Sequence, residues 1–126
     1  MIDKNIRILV VDDVPVMRRL IIHLLEQLEL ENVDEVANGL KALDMLNKHK
    51  YDVVLSDWNM PVMDGLDLLK AMKSDPSLKD IPLILITAED GEERVLNAIK
   101  EGVDNYIVKP LSVKTLENKL IGVLKK

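Results

Sequence analysis

Apolar residues along this chain follow two alternating rhythms. Short unbroken runs such as Ile8-Leu9-Val10-Val11 and Leu83-Ile84-Leu85-Ile86 are separated by longer stretches in which apolar positions recur every three or four residues. The first rhythm belongs to strands buried on both faces, the second to helices that bury one stripe. A first strand is expected over Ile6 to Val11. Pro15 suits the opening of a helix, whose stripe is Met17, Leu20, Ile21, Leu24, Leu25 and Leu28, with Arg18, Arg19, Glu26 and Gln27 facing water. A short strand around Val33 to Ala37 leads through Asn38 and Gly39 into a helix carrying Leu40, Leu43 and Leu46 that ends before Tyr51. The third strand is Val53 to Ser56, followed by a loop with Pro61 and Gly65 and a helix bearing Leu66, Leu69 and Met72. That helix stops at Ser74, because Pro76 crowds Asp75 out of helical geometry. Strand four is Leu83 to Thr87, a helix from about Glu92 to Glu101 closes on Gly102, strand five is Tyr106 to Val108, and a last helix carries Leu116, Leu120 and Leu124.

The result is five successive βα units, an α/β fold with a doubly wound parallel sheet. Right-handed crossovers cover both faces with helices and leave a ligand crevice beyond the carboxyl ends of the strands. Any chemistry is expected there.

Composition narrows the possibilities. At 126 residues the chain has the size of one domain, residues 1–126, with no room for an output domain of ordinary size. It has no Cys, which removes thiol chemistry, disulfides and thiolate metal sites and agrees with a reducing compartment. No apolar run approaches membrane-spanning length, and Met1 to Arg7 has none of the features of a secretory leader, so the expected location is the cytoplasm. A net charge of -5 disfavours nucleic acid and membrane surfaces as partners and leaves other proteins.

Following each strand to its carboxyl end gives Asp12 and Asp13, then Asp57, then Thr87, then Lys109. Singly, each has an ordinary explanation as a helix cap, a turn residue, a strand residue or a solvated cation. Together they fall on one edge of one sheet. Three carboxylates this close either raise a pKa or hold a hard cation. Mg²⁺ suits them best, since it takes oxygen ligands, keeps several waters and sits where carboxylate meets phosphate. One carboxylate can then attack phosphorus as a covalent nucleophile while a lysine and a hydroxyl hold the equatorial oxygens, roles for which Lys109 and Thr87 are suited.

The segments Val10-Val11-Asp12-Asp13, Ser56-Asp57-Trp58-Asn59-Met60-Pro61-Val62-Met63-Asp64-Gly65, Thr87-Ala88 and Val108-Lys109-Pro110 resemble, in this order, the receiver domains of two-component response regulators. The likeness spans essentially the whole chain. Asp57 to Pro61, Met17-Arg18-Arg19, Ala88-Glu89 and Tyr106 resemble the CheY-like chemotaxis receivers in particular. The resemblance implies a flavodoxin-like sheet of order 2-1-3-4-5. It implies Asp57 as phosphoacceptor, with Mg²⁺ held by Asp13, Asp57 and the Asn59 carbonyl and by Asp12 through water. Lys109, Thr87 and the Ala88 amide would bind the phosphoryl oxygens, and Lys109-Pro110 would be a cis peptide. Thr87 and Tyr106 would form the switch, the aromatic ring turning inward as the hydroxyl moves to the phosphoryl group. The implied partners are a CheA-like histidine kinase, a FliM-like flagellar motor switch protein and a separate phosphatase, with the receiver a monomer. Its only catalysis would be its own phosphorylation and dephosphorylation.

The chain departs from the chemotaxis pattern at Val14 and Leu111, which read as core variation. It departs more at Glu89-Asp90-Gly91-Glu92-Glu93, acidic where chemotaxis receivers often carry lysines, although Thr115, Leu116 and Lys119 match. His23 and His49 are expected in solvent, Trp58 in a packing role, and Asp64-Gly65 in the turn into the third helix. A haloacid-dehalogenase-type phosphohydrolase shares the aspartyl-phosphate chemistry, but it places its nucleophile on the first strand and a second Asp two residues on, where this chain has Asn59. A flavodoxin-like electron carrier would need a phosphate-cradling first loop, which Asp12-Asp13 would repel, and aromatic rings to stack, of which this chain has 2%. A phosphorelay intermediate or a phosphate sink would keep the receiver chemistry and change the output.

Overall fold

The computed structural model describes residues 2–88, 99–100 and 102–124. The elements are β1 (Ile8–Val11), α1 (Pro15–Gln27), β2 (Val33–Val36), α2 (Gly39–Lys48), β3 (Val53–Asp57), α3 (Gly65–Lys73), β4 (Leu83–Thr87), β5 (Asn105–Val108) and α4 (Val113–Leu124). The helix expected over Glu92 to Glu101, and the acidic stretch Glu89 to Glu93, lie outside the described residues, apart from helical turn at 99–100.

All five strands are parallel in the order β2-β1-β3-β4-β5. Strands β1, β3 and β4 are buried along their whole length, which is why their sequences run apolar without alternation. Their side chains still alternate between two cores. Ile8, Val10, Val53, Leu55, Ile84 and Ile86 meet Ile21, Leu24 and Leu25 of α1 and Leu116 and Leu120 of α4. Leu9, Val11, Val54, Leu83 and Leu85 meet Leu46 of α2 and Leu68, Leu69 and Met72 of α3 on the other face. In-register pairing of Val11 with Val36 and Ser56, Asp57 with Ile86 and Thr87 with Val108 brings the strands to a common edge at their carboxyl ends.

Helix boundaries follow local chemistry. The α2 N-cap is Asn38, whose side chain accepts from the Lys41 amide, and Asp64 and Asp67 form a reciprocal capping box at the start of α3. Ser74 ends α3, as the proline after Asp75 requires.

Four sequence expectations need correction. Leu20 is 41% exposed, because the buried face of α1 centres on Ile21, Leu24 and Leu25 and leaves it at the margin. Leu40 is 52% exposed, since the buried line of α2 runs through Gly39, Ala42 and Leu46. Val14 is exposed rather than core, whereas Leu111 does pack on the first core. Arg18 does not simply face water, since its side chain is only 17% exposed.

Candidate functional site

Four of the five strands, all but β2, bring polar groups to the common edge. Asp57 is the last residue of β3 and Thr87 the last of β4, while Asp12 and Lys109 directly follow β1 and β5. Asp12, Asp57 and Thr87 are buried and Asp13 is half-buried. The amide of Lys109 donates to the carbonyl of Thr87 at 2.8 Å, and that of Trp58 to Ile86 at 3.0 Å, so the strand pairing continues into the site. Oxygens of Asp12, Asp13 and Asp57 lie within 4.8 Å of one another. Lys109 Nζ approaches Asp57 Oδ1 at 3.3 Å.

The carboxylates are held under electrostatic tension. Burial pushes the Asp57 carboxyl above its ordinary value, with Asp13 adding to the shift, while Lys109 and the Trp58 amide oppose it. Asp12 is raised as well, again chiefly by burial and further by Asp57 and Asp13, against the Val14 amide and Lys109. Asp12 Oδ1 accepts from the Val14 amide at 2.9 Å. Its Oδ2 is buried with no hydrogen-bond partner among the described residues. A buried carboxylate oxygen left without a donor, next to two further carboxylates, fits a cation and fits little else. Three carboxylate donors, of which Asp13 is half-buried and leaves access to water, suit a hard divalent ion that keeps part of its water.

The remaining predicted residues frame this cluster. Asn59 is exposed in the β3–α3 loop, and Ala88 is exposed just beyond Thr87. Tyr106 in β5 is half-buried, with Lys119 Nζ 5.5 Å from its ring centroid and bonded to Asn105 Oδ1 at 3.0 Å. The Lys109-Pro110 peptide is cis, as the resemblance implied. Trp58 is buried in the core beneath the site. His23 and His49 are exposed and neither joins the cluster, His23 pairing with Gln27 at 2.9 Å.

Two residues that support the site escaped the sequence reading. Gly65 lies so close beneath Asp57 that a Cβ there would fall 2.5 Å from the Asp57 carbonyl oxygen, and its amide donates to Trp58 at 2.9 Å. Arg18 donates from Nη1 to the Asp12 carbonyl at 2.6 Å and from Nε to Glu35 Oε1 at 2.8 Å. A signal for Arg18 was available: a cation near the start of a helix opposes the helix dipole, and α1 has no acidic residue in its first turn to compensate.

A parallel sheet of this order carries acids just after β1 and at the end of β3 and a lysine just after β5. The family model "Response regulator receiver domain" matches residues 8–121, and the chain belongs to that family. It is 47% identical over 119 residues to the chemotaxis protein CheY-3 of Vibrio cholerae serotype O1, covering 94% of this chain and 92% of that one. Among solved structures, the chemotaxis protein CheY4 of Vibrio cholerae superposes with a TM-score of 0.87 at 34% identity, over 94% of this chain and 98% of that one. The receiver domain of a sensor histidine kinase from Pseudomonas aeruginosa PAO1, solved with a magnesium ion coordinated in its active site cleft, gives a TM-score of 0.87 at 27% identity, covering 96% and 98%. Among the described residues no helix is long and apolar enough to cross a membrane.

Proposed function

We propose that this receiver is a phosphorylation-dependent switch of a chemotaxis two-component system, with Asp57 as the phosphoacceptor. The observation that carries the reading is the carboxylate cluster of Asp12, Asp13 and Asp57, closed on one side by Lys109 at 3.3 Å from Asp57. The donor is a phosphohistidine of a CheA-like kinase. An Asp57 carboxylate oxygen attacks phosphorus in line as the phosphorus–nitrogen bond breaks, and the histidine nitrogen leaves with the bonding pair. Water later attacks the same phosphorus, releases inorganic phosphate and regenerates the carboxylate. These two steps on itself are the only catalysis assigned to the chain.

Mg²⁺ is the cofactor this reading requires, and Asp13, Asp57 and the Asn59 carbonyl would hold it, with Asp12 acting through water. When bound it neutralises the carboxylates and the charge on the phosphoryl oxygens. Lys109 binds one phosphoryl oxygen by charge, while the Thr87 hydroxyl and the Ala88 amide bind others by hydrogen bonds. Thr87, drawn to the phosphoryl group, leaves space that the Tyr106 ring fills from the half-exposed position it now holds. The phosphoryl group therefore shifts an existing equilibrium by the difference between its contacts in the two states.

Output is carried by the receiver's own surface as a monomer in the cytoplasm, to a FliM-like motor switch protein, with a separate phosphatase resetting the signal. The β5–α4 face that carries Tyr106 and Lys119, with Lys119 Nζ 5.5 Å from the ring centroid, matches the chemotaxis receiver pattern at both residues and is the part of that surface assigned to output. Incubation with acetyl phosphate and Mg²⁺ should add one acid-labile phosphoryl group, lost in Asp57→Asn. A label that survives this change removes Asp57 from the role. Pull-down with and without beryllofluoride, followed by identification of what is enriched, tests the motor partner separately.

A further inference from the structure

Asp12 and Asp13 are neighbours in sequence, so their carboxylates hang from the two Cα atoms at either end of a single peptide unit. That unit is planar and stiff, and whatever fixes its carbonyl fixes both ends. The amide of Asp12 still pairs with Val36 at 3.2 Å, as an extension of the β1–β2 ladder. Its carbonyl lies beyond the ladder, in a residue with no exposed surface. A buried carbonyl needs a donor, and here the donor is Arg18 Nη1 at 2.6 Å.

The guanidinium is itself held at its other edge. Nε donates to Glu35 Oε1 at 2.8 Å, with side-chain exposures of 17% for Arg18 and 35% for Glu35. Arg18 stands near the start of α1 and Glu35 on β2, so the fork ties a helix and an edge strand to the peptide between the two acids. The rigid guanidinium plane makes this possible, since its donors leave in fixed directions that a lysine cannot reproduce. Pairing with Glu35 also commits the positive charge away from the carboxylates, so Arg18 orients them without competing for the cation they are arranged to hold.

We infer that Arg18, braced by Glu35, is a positioning residue for the Asp12–Asp13 half of the cation site, setting metal affinity by holding the peptide that both carboxylates share. The inference rests on the cluster being a divalent-cation site. Partners one layer behind metal ligands are known to act in this way, fixing ligand orientation at no direct contact with the ion. A purely structural Arg18 would instead join α1 to β2 and affect only stability.

The test is a Mg²⁺ titration of intact protein followed by Trp58 fluorescence, with thermal unfolding of the metal-free protein measured in parallel. Arg18→Ala should raise the Mg²⁺ dissociation constant about tenfold. With acetyl phosphate as donor, the Mg²⁺ concentration for half-maximal labelling should rise by the same factor, while the labelling rate at saturating Mg²⁺ stays within about twofold of wild type. Arg18→Lys and Glu35→Gln keep the fold in reserve should the alanine variant fail to fold, and each should give a smaller increase in the same constant. The double variant Arg18→Ala/Glu35→Gln should bind Mg²⁺ no more weakly than Arg18→Ala alone, because Glu35 acts only through Arg18. Lowered unfolding temperatures with an unchanged Mg²⁺ constant in these variants would overturn the inference and leave the function standing. A wild-type protein whose fluorescence and labelling both ignore Mg²⁺ would overturn the cation site, and this inference with it.

Discussion

Lys109 Nζ, at 3.3 Å from Asp57 Oδ1, is the one cation that touches the carboxylate cluster among the described residues, and it does not offset the cost of burying that carboxylate. The Asp57 carboxyl remains above its ordinary value of 3.8 despite Lys109, and Asp12 behaves in the same way. Below the unfolded value both groups are protonated in either state and there is no penalty. As pH rises through the raised folded values, the unfolded chain ionises more readily, and the stability these groups contributed is lost. The metal-free protein therefore carries an electrostatic cost at neutral pH. Asp57→Asn should raise the unfolding temperature at pH 7, with the gain shrinking to nothing as pH falls to about 4 and below. Mg²⁺ should stabilise wild type and do much less for the variant. A variant less stable than wild type at pH 7 without metal would contradict this.

Gly65 sets the floor under the same carboxylate. A Cβ there would meet the Asp57 carbonyl at 2.5 Å, Leu85 Cδ2 at 2.6 Å and Trp58 Cα at 3.0 Å. The leucine tip can move, but two of the three obstacles are backbone. Gly65→Ala should destabilise by roughly 1–3 kcal/mol, the usual cost of overpacking, and slow phosphoryl labelling by shifting β3. Normal labelling with normal stability would show that the β3–α3 junction yields more easily than its contacts suggest.

The fold was readable because its strands are buried on both faces. Continuous runs in β1 and β4 have no solvent side to break them, and the acids, Thr87 and Lys109 stand where those runs stop. What stayed hidden needed distances rather than periods. Arg18, between Met17 and Arg19, reads in sequence as one of the solvent-facing positions of α1, and its bond to the carbonyl of Asp12 is what shows its purpose. Gly65 looked like a turn residue because close approach to β3 leaves no mark in sequence. Leu20 and Leu40 match an apolar stripe by spacing, yet the centre of each buried face lies one position away.

At the opposite end of the sheet, the Tyr51 hydroxyl donates to Asp34 Oδ2 at 2.6 Å, and Arg7 reaches the same oxygen at 3.3 Å while stacking 5.1 Å from the Tyr51 ring centroid. Burial first, then the bond to Asp34 and its charge, push the phenol from 10.0 up to about 12, against the pull of Arg7. The folded state thus favours the neutral phenol. Its contribution is complete below the unfolded value of 10.0 and is lost as pH climbs towards about 12. Wild type should lose urea resistance over that interval, and Tyr51→Phe should lose less of it. At neutral pH the variant should be weaker by about 1 kcal/mol for the missing hydrogen bond. Parallel alkaline profiles for the two proteins would remove Tyr51 as the source.

The end of α1 offers a gain rather than a loss. Leu30 N donates to Leu25 O and Glu29 N to Glu26 O, both at 2.9 Å, the paired bonds with which a helix closes when the residue after its cap turns left-handed. That residue is Glu29, at φ 63°, a conformation that suits glycine and strains a side chain. The apolar contact that accompanies this closure is present too, since Leu25 and Leu30 share one core. The side chain of Glu29 returns little for the strain: its ion pair with Lys4 spans 3.8 Å, with side-chain exposures of 79% and 49%. Exposed pairs of this kind contribute at most about 1 kcal/mol and often nothing measurable. Lys4 keeps a better use in any case, donating to the Leu28 carbonyl at 2.7 Å. Glu29→Gly should therefore stabilise the protein by about 1 kcal/mol, seen as a higher urea midpoint at unchanged slope. Glu29→Ala removes the same ion pair but keeps a Cβ in the strained position, so it should gain nothing. If alanine and glycine stabilise equally, the charge of Glu29 was the burden and its backbone conformation was not.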